Sequence, residues 1–455
     1  MLQGYRILYM ENKMFSVCII VSSWHFFLNP FKLQPVWELQ LATTLDDYFK
    51  NDDIEVSICD LRELRRDGCK YSLDKVADYI PKHDLYVHWM VRTGNYKEIQ
   101  DVTAQLRKAY PKSKHVLGGA IVNTFKEECN KNFDVIISGA PEESLKDIIK
   151  DCLNNDLKKE YYCDWDKSHI SKYPFPRRHY ISKEAVIDND SFSAYKNIVG
   201  TSCIFSRGCP FKCIFCICKY PNIQCQVRHP ESIEAEIEYL KSEYGVNGIN
   251  LRDELCIPVQ QDLARKQIEA IARQKVVWRG QGRVGIGDDI LKLASNSGLI
   301  ELSIGVESVS QQVLDIAKKG TNIEQIKKFI KNCKYCNIKT KLGIILGLPG
   351  EPKNIVELTK QFLEEVNPDY AIISGMCIFP SSEIFDNAEY YGIEHIDKNW
   401  DKYGHLLYRY GEIEEIGIPF RYAKQNKWGD TFTREEIMNN VQNLQHYLKE
   451  RNMVW

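Results

Sequence analysis

The chain has 455 residues, more than one hydrophobic core ordinarily organises, so length alone implies two or three domains, and two domains plus a tail is the starting expectation. Lys and Arg total 60 against 62 Asp and Glu, which gives neither the basic excess of a nucleic-acid binder nor the acidic block of a disordered tail. The expected partner is a small molecule or a peptide, with no nucleic acid, and an aromatic content of 11% argues for folded structure almost throughout.

The first apolar run, Phe15 to Leu28, is interrupted by Ser22, Ser23, Trp24 and His25. It lacks the basic start and small-residue cleavage site of a signal peptide and is too short to span a bilayer, so a cytoplasmic protein without a membrane partner is expected. The 16 cysteines then remain thiols, and a tight cluster of them signals metal rather than disulfides. From Phe15 to Cys152 short apolar runs alternate with amphipathic ones. Strands are expected at Phe15 to Val21, Ile54 to Cys59, Leu85 to Met90, His115 to Leu117 and Val135 to Ile137, with helices at Val36 to Phe49, Leu73 to Ile80, Tyr96 to Ala109, Phe125 to Lys131 and Glu142 to Cys152. Strands separated by single helices imply βαβ units and a doubly wound parallel sheet, which binds ligands beyond the carboxyl ends of its strands.

Asn154 to Ser202 is polar and broken by Pro174 and Pro176, and reads as a linker. A second βα series begins near Ile204 and continues through Gly248 to Leu251, Val276 to Arg279, Glu301 to Ile304, Lys341 to Leu346 and Tyr370 to Ile373. Six parallel strands are too few for a closed eight-stranded barrel, so a partial barrel open at one side is expected. After Pro380 the pattern weakens, until Thr433 to Arg451 reads as a closing helix with a Thr433 to Glu436 capping box. The expected fold class is α/β: a Rossmann-like domain over residues 1–153, a linker over 154–202, a partial (β/α)6 barrel over 203–385 and a mainly helical substrate-side region over 386–455.

The segment Arg207-Gly-Cys-Pro-Phe-Lys-Cys-Ile-Phe-Cys216 places three thiols at C-x3-C-x2-C spacing directly after an apolar run. A loop after a strand can wrap three thiolates around one face of an iron–sulfur cubane, and three ligands leave one iron open for a substrate or cosubstrate. The alternative is a structural zinc loop, which favours paired C-x2-C elements; Cys333-x2-Cys336 could supply one pair. Cys333 and Cys336 otherwise read as helix-end thiols.

Cys209, Cys213 and Cys216, with Phe215 before the last cysteine, resemble the signature of the radical S-adenosylmethionine (SAM) family. That resemblance implies a 4Fe-4S cluster whose open iron chelates the methionine moiety of SAM, an electron donor such as flavodoxin or ferredoxin, and a radical that abstracts hydrogen from substrate. Supporting segments follow in order. Asn250-Leu-Arg-Asp-Glu254 falls where the family places polar groups for the methionine amine, nominating Asp253 and Glu254. Val277-Trp-Arg-Gly-Gln-Gly-Arg283 resembles the third-strand segment, nominating Arg283. Gly305-Val-Glu-Ser308 resembles the fourth, with Glu307 and Ser308 toward the ribose. Gly343-Ile-Ile-Leu-Gly-Leu-Pro-Gly350 resembles the fifth-strand glycine motif, with Gly343 and Gly347 toward the adenine.

In the first domain, Val116-Leu-Gly-Gly-Ala120 and Ile137-Ser-Gly-Ala-Pro-Glu-Glu143 resemble the cobalamin-binding domain of one large branch of that family, nominating Gly118, Gly119, Ser138, Gly139 and Glu142. Tyr173-Pro-Phe-Pro-Arg-Arg178 resembles that branch's linker. One departure stands out: where a D-x-H-x-x-G motif would supply a cobalt-ligating histidine, the chain reads Ser23-Trp-His-Phe-Phe-Leu28, without the Asp that would orient His25. The reaction implied is methylation of an unactivated carbon. Cyclisation, ring contraction or rearrangement, methylthiolation, and a non-catalytic iron–sulfur or cobalamin sensor are the competing readings.

Overall fold

The computed structural model describes residues 14–24, 27, 29–66, 72–188, 190–218, 225–399 and 417–454. Its first sheet holds six parallel strands: β1 (Phe15–Val21), β2 (Ile54–Asp60), β3 (Leu85–His88), β4 (Lys114–Gly118), β5 (Val135–Gly139) and β6 (Glu160–Cys163), in the order β2-β1-β3-β4-β5-β6. The period-2 alternation of β1 explains why both faces are covered. Val17 and Ile19 pack toward helices Val36–Tyr48 and Pro141–Leu153, beside Leu41, Leu45, Leu145 and Ile148. Cys18 and Ile20 face the opposite layer, where Val102 and Leu106 of helix Thr93–Ala109 meet them. The strand order reverses between β1 and β3, which makes the carboxyl end of the sheet the ligand edge.

The second sheet is also parallel throughout. It comprises β7 (Gly200–Cys203), β10 (Gly248–Leu251), β11 (Val277–Gly282), β12 (Leu299–Glu307), β13 (Lys339–Leu346) and β14 (Tyr370–Gly375), in the order β14-β13-β12-β11-β10-β7. Strands β7 and β14 do not pair, so the barrel is open, and each free edge is covered otherwise. Gln34 of the first domain accepts from the Ser202 amide at 2.7 Å beside β7, and the Met453 carbonyl accepts from Ala371 at 2.9 Å on β14. A short antiparallel pair, β8 (Ser206–Arg207) with β9 (Gln226–Val227), lies between β7 and β10.

Residues 154–202, expected to lack regular structure, contain β6, helix Lys183–Val186 and the start of β7. Strand β6 is a four-residue edge strand whose Tyr162 faces solvent, so its apolar alternation is inverted and reads as loop. The rest of this segment plugs the amino-terminal end of the barrel. Asn250 donates to Asp188 at 3.2 Å and to Ser191 at 2.9 Å, Arg279 donates to the Ser191 carbonyl, and buried Glu301 pairs with Arg279 and with Lys341. Beyond the barrel, β15 (Ile393–Ile396) pairs with β16 (Phe420–Tyr422) and β17 (Gln425–Asn426) with β18 (Gly429–Asp430), elements that the aromatic-rich tail sequence does not announce. The closing helix runs Arg434–Glu450, with Thr433 and Glu436 forming the capping box. Tyr403, His405, Tyr408 and Tyr410 lie outside the described residues. Among the described residues no helix is long and apolar enough to cross a membrane.

The two sheets are joined by buried polar contacts. Arg207 and Glu142, each 1% exposed, form an ion pair at 2.7 Å; Arg207 also donates to the Ser168 carbonyl and lies over the Trp165 ring at 4.9 Å. Buried Arg228 donates to the carbonyls of Ile204 and Pro174 and to the Gln40 side chain. Removing one partner of a buried pair strands the other charge. Arg207→Met is therefore expected to lower unfolding free energy by about 3–5 kcal/mol in urea titration, with part of the loss recovered when Glu142→Leu is added.

Candidate functional site

The three cysteines sit on a loop suspended from several elements at once. Oδ1 of buried Asp253 accepts from the amides of Phe205, at 3.0 Å, and Ser206, fixing the strand end that precedes the loop. The chain then turns at Gly208, whose φ of +100° no other residue adopts comfortably, and the Gly208 amide donates to Glu254 at 3.2 Å. In mid-loop, Ile214 donates to the Ala317 carbonyl at 3.2 Å and accepts from Ile384 at 3.0 Å. Cys209, Cys213 and Cys216 are half-exposed, as ligands that must be loaded from solution should be.

Their sulfurs are not alike electrostatically. Burial pushes the Cys209 thiol up to about 11, with the neighbouring Cys216 and Cys213 sulfurs adding to it. Cys216 is lowered, because the Cys218 thiol and backbone amide both hydrogen-bond its sulfur, the amide at 3.4 Å. Among the described residues no group of three His, Cys, Asp or Glu side chains is arranged to hold a single metal ion.

Around this loop stand most of the residues nominated for SAM. Glu254 and Glu307 both raise the Cys216 thiol electrostatically, so their carboxylates border the same space. Glu307 terminates β12 at a bulge against β13, with its backbone in the left-handed region at φ +67°. Its side chain pairs with buried Lys319 at 2.8 Å, and a Cβ on Gly305 would collide with that carboxylate. Ser308 is buried and accepts from the Ser310 amide at 3.2 Å. Arg283 donates to Cys213 Sγ at 3.5 Å and lies 3.7 Å from the Phe211 ring centroid. Phe215 packs against the barrel core, and Gly343 stands half-exposed on β13, where a Cβ would meet only the Ile304 carbonyl, at 3.8 Å.

Two nominations change. Asp253 serves the backbone of Phe205 and Ser206 with one oxygen and is pushed up to about 7 by burial; only its Oδ2 lacks a partner among the described residues. Gly347, expected to admit the adenine, is enclosed instead: its Cα side meets Ile437 of the closing helix, its amide donates to Glu351 at 2.8 Å, and its carbonyl accepts from Tyr422 at 2.9 Å.

The first-domain nominations line the carboxyl ends of β4 and β5, and their glycines have internal causes. The Trp89 ring covers the face where Gly118 would carry a side chain, the Val91 backbone fills that of Gly119, and the Cys163 carbonyl that of Gly139. Ser138 is half-buried at the end of β5. Both carboxylate oxygens of Glu142 already accept hydrogen bonds, one from Arg207 and the other from the Ser168 hydroxyl at 2.8 Å. His25 lies outside the described residues. The loop after β1 is anchored by buried Arg65, which donates to the carbonyls of Ser23, Trp24 and Phe27. Arg65, Arg207, Lys319 and Glu351 were not singled out from sequence; Arg207, two residues before Cys209, is the one that position alone could have flagged.

Residues 203–363 match the Radical SAM superfamily. The anaerobic magnesium-protoporphyrin IX monomethyl ester cyclase of Rubrivivax gelatinosus is 32% identical over 203 residues, 42% of this chain and 36% of that protein. An uncharacterized methyltransferase of Pyrococcus horikoshii is 26% identical over 205 residues, 44% of each chain. The chain spans about a third of the length of the first curated relatives it matches. Among solved structures, the cobalamin-dependent SAM radical enzyme OxsB, with aqua-cobalamin and SAM bound, shares the fold at TM-score 0.62 and 15% identity, over 96% of this chain and 67% of that one. Residues 203–363 are thus a radical SAM domain, and the chain shares the two-domain fold of OxsB. TsrM from Kitasatospora setae, at TM-score 0.63 and 14% identity over 83% of this chain and 78% of that one, carries cobalamin and a [4Fe-4S] cluster.

Glu351 gives a pH dependence. Burial pushes its carboxyl up to about 8 against an ordinary value of 4.5, so between those values the folded chain binds more protons than the unfolded one. Stability is then present in full below about pH 4.5 and is lost as pH rises toward 8. Unfolding free energy measured across this range is expected to fall less steeply in Glu351→Gln.

Proposed function

We propose that this chain is a cobalamin-binding radical SAM C-methyltransferase acting on an unactivated carbon of a small molecule or peptide. The observation that carries this reading is the crevice between the domains. Arg92, Thr93 and Ile121 at the carboxyl edge of the first sheet face Ile217 of the cysteine loop and Phe379 and Pro380 beyond β14. Only about 10 Å³ of this gap is open, so it marks where the two proposed cofactor edges adjoin rather than a chamber for substrate.

Cys209, Cys213 and Cys216 would hold the cluster. Glu307, Ser308, Gly343 and the buried Nη2 of Arg283, which lacks a partner among the described residues, would receive SAM. Cobalamin would lie over the backbone at Gly118–Gly119 and Ser138–Gly139. When bound, the cluster and SAM supply a radical able to take hydrogen from carbon, and cobalamin supplies the methyl group. The chain's own part is placement. The apolar side chains of Ile121, Ile217 and Phe379 keep water from the reacting carbon, Glu254 orients the start of the cysteine loop through Gly208, and Arg207 with Glu142 fixes the distance between the domains. A low-potential one-electron donor such as flavodoxin or ferredoxin would reduce the cluster.

The 32% identical relative named a cyclase supports a second reading, ring formation without methyl transfer, and one experiment separates the two. The full chain, reconstituted anaerobically with iron, sulfide and cobalamin, is given SAM and a low-potential reductant, and its products are analysed by mass. Methyl transfer is expected to yield both S-adenosylhomocysteine and 5′-deoxyadenosine, with Cys213→Ala abolishing the deoxyadenosine. Deoxyadenosine alone would favour cyclisation or rearrangement. Absence of bound cobalamin would overturn the methylation reading, and absence of deoxyadenosine the radical chemistry.

A further inference from the structure

We propose that Arg283 tunes the cluster by donating a charged hydrogen bond to the sulfur of Cys213. It is a positioning residue for the redox state, in addition to any contact with SAM. The inference rests on the cluster reading above, in which Cys213 Sγ stands for an iron-bound thiolate.

The geometry is specific. Arg283 follows directly from β11, which aims it at the inner side of the barrel. Its Nη1 donates to Cys213 Sγ at 3.5 Å, within the reach of an N–H···S bond. Its guanidinium lies on the Phe211 ring with 3.7 Å between Cζ and the centroid, so the plane is held face-on by a residue of the same cysteine loop. Only 8% of the side chain's residue surface is exposed, which removes the water that would otherwise screen the charge. Gly320, at φ +63°, lies beside Nη2, which a Cβ there would meet at an ordinary contact distance of 3.7 Å. Among the described residues no carboxylate forms an ion pair with Arg283, so its guanidinium donates to the sulfur without a competing salt bridge.

Hydrogen bonds to cluster sulfurs and the net charge around them set an iron–sulfur potential. Reduction adds one electron, taking the core from the 2+ to the 1+ state, while a low-potential donor loses one electron and no proton moves. The reduced core carries more negative charge, so a cation bonded to its ligand stabilises that state. Arg283 therefore raises the potential and makes the cluster easier to reduce. The shorter, neutral amide of a glutamine in its place removes the charge, and a lysine keeps the charge but cannot keep the planar stack on Phe211.

The test is an EPR-monitored redox titration, without SAM, of the full chain reconstituted with iron and sulfide. Iron and sulfide content of Arg283→Gln should equal that of the wild type. Its reduction equilibrium is expected to weaken at least tenfold, a midpoint about 59 mV more negative for one electron. Pulsed EPR of the reduced wild type labelled with guanidinium-15N arginine should show a nitrogen coupling that Arg283→Lys lacks. A cluster-bearing Arg283→Gln with the wild-type midpoint would overturn the proposal. If that variant takes up no iron, the nitrogen coupling decides: its presence supports the proposal and its absence overturns it. Failure of the wild-type chain itself to take up iron and sulfide would instead overturn the cluster reading on which this rests.

Discussion

The buried pair between Glu142 and Arg207 is the constraint on which the arrangement of this molecule depends. Glu142 opens the helix that follows β5, at the ligand edge of the first sheet, and Arg207 lies two residues before the first cluster cysteine. A desolvated pair tolerates little displacement, because any gap exposes two costly charges to an apolar interior. The ligand edge of one domain and the cysteine loop of the other are thereby held in fixed register. The Arg228 contacts to Gln40, Ile204 and Pro174 act in the same direction. Reactions that need two cofactors on opposite sides of one carbon demand such a register, since misplacement by an ångström costs orders of magnitude in rate.

Within that frame, the cysteine loop has little regular structure of its own and takes its shape from outside: Asp253 and Glu254 at its start, Ala317 and Ile384 in its middle, and Arg283 against Cys213. A loop fixed by neighbours on different strands keeps its sulfurs in place before any iron arrives. Placing Glu307 at a bulge with left-handed backbone, and omitting a side chain at Gly305 so that Lys319 can reach it, is local irregularity of the kind that concentrates at functional sites.

Much of this was legible in the sequence, for identifiable reasons. The strands of both sheets announce themselves because parallel strands buried on two faces are short apolar runs, and the cysteine spacing is a local signal. What was missed is long-range or inverted. Glu142 and Arg207 are 65 residues apart, so a carboxylate at the head of a helix looked like a ligand contact when it is a structural counter-charge. Gly347 reads as a turn glycine whether its open face meets a cofactor or, as here, Ile437. Strand β6 turns its tyrosine outward, and the tail's short strand pairs carry too few residues for any period to emerge.

The plug formed by Asp188 and residues 190–195 at the amino-terminal end of the barrel has a temporal consequence. On the proposed reading, a barrel filled at this end is entered from the other. The molecule seated deeper would then arrive first and depart last: cosubstrate ahead of substrate on the way in, and product ahead of spent nucleoside on the way out.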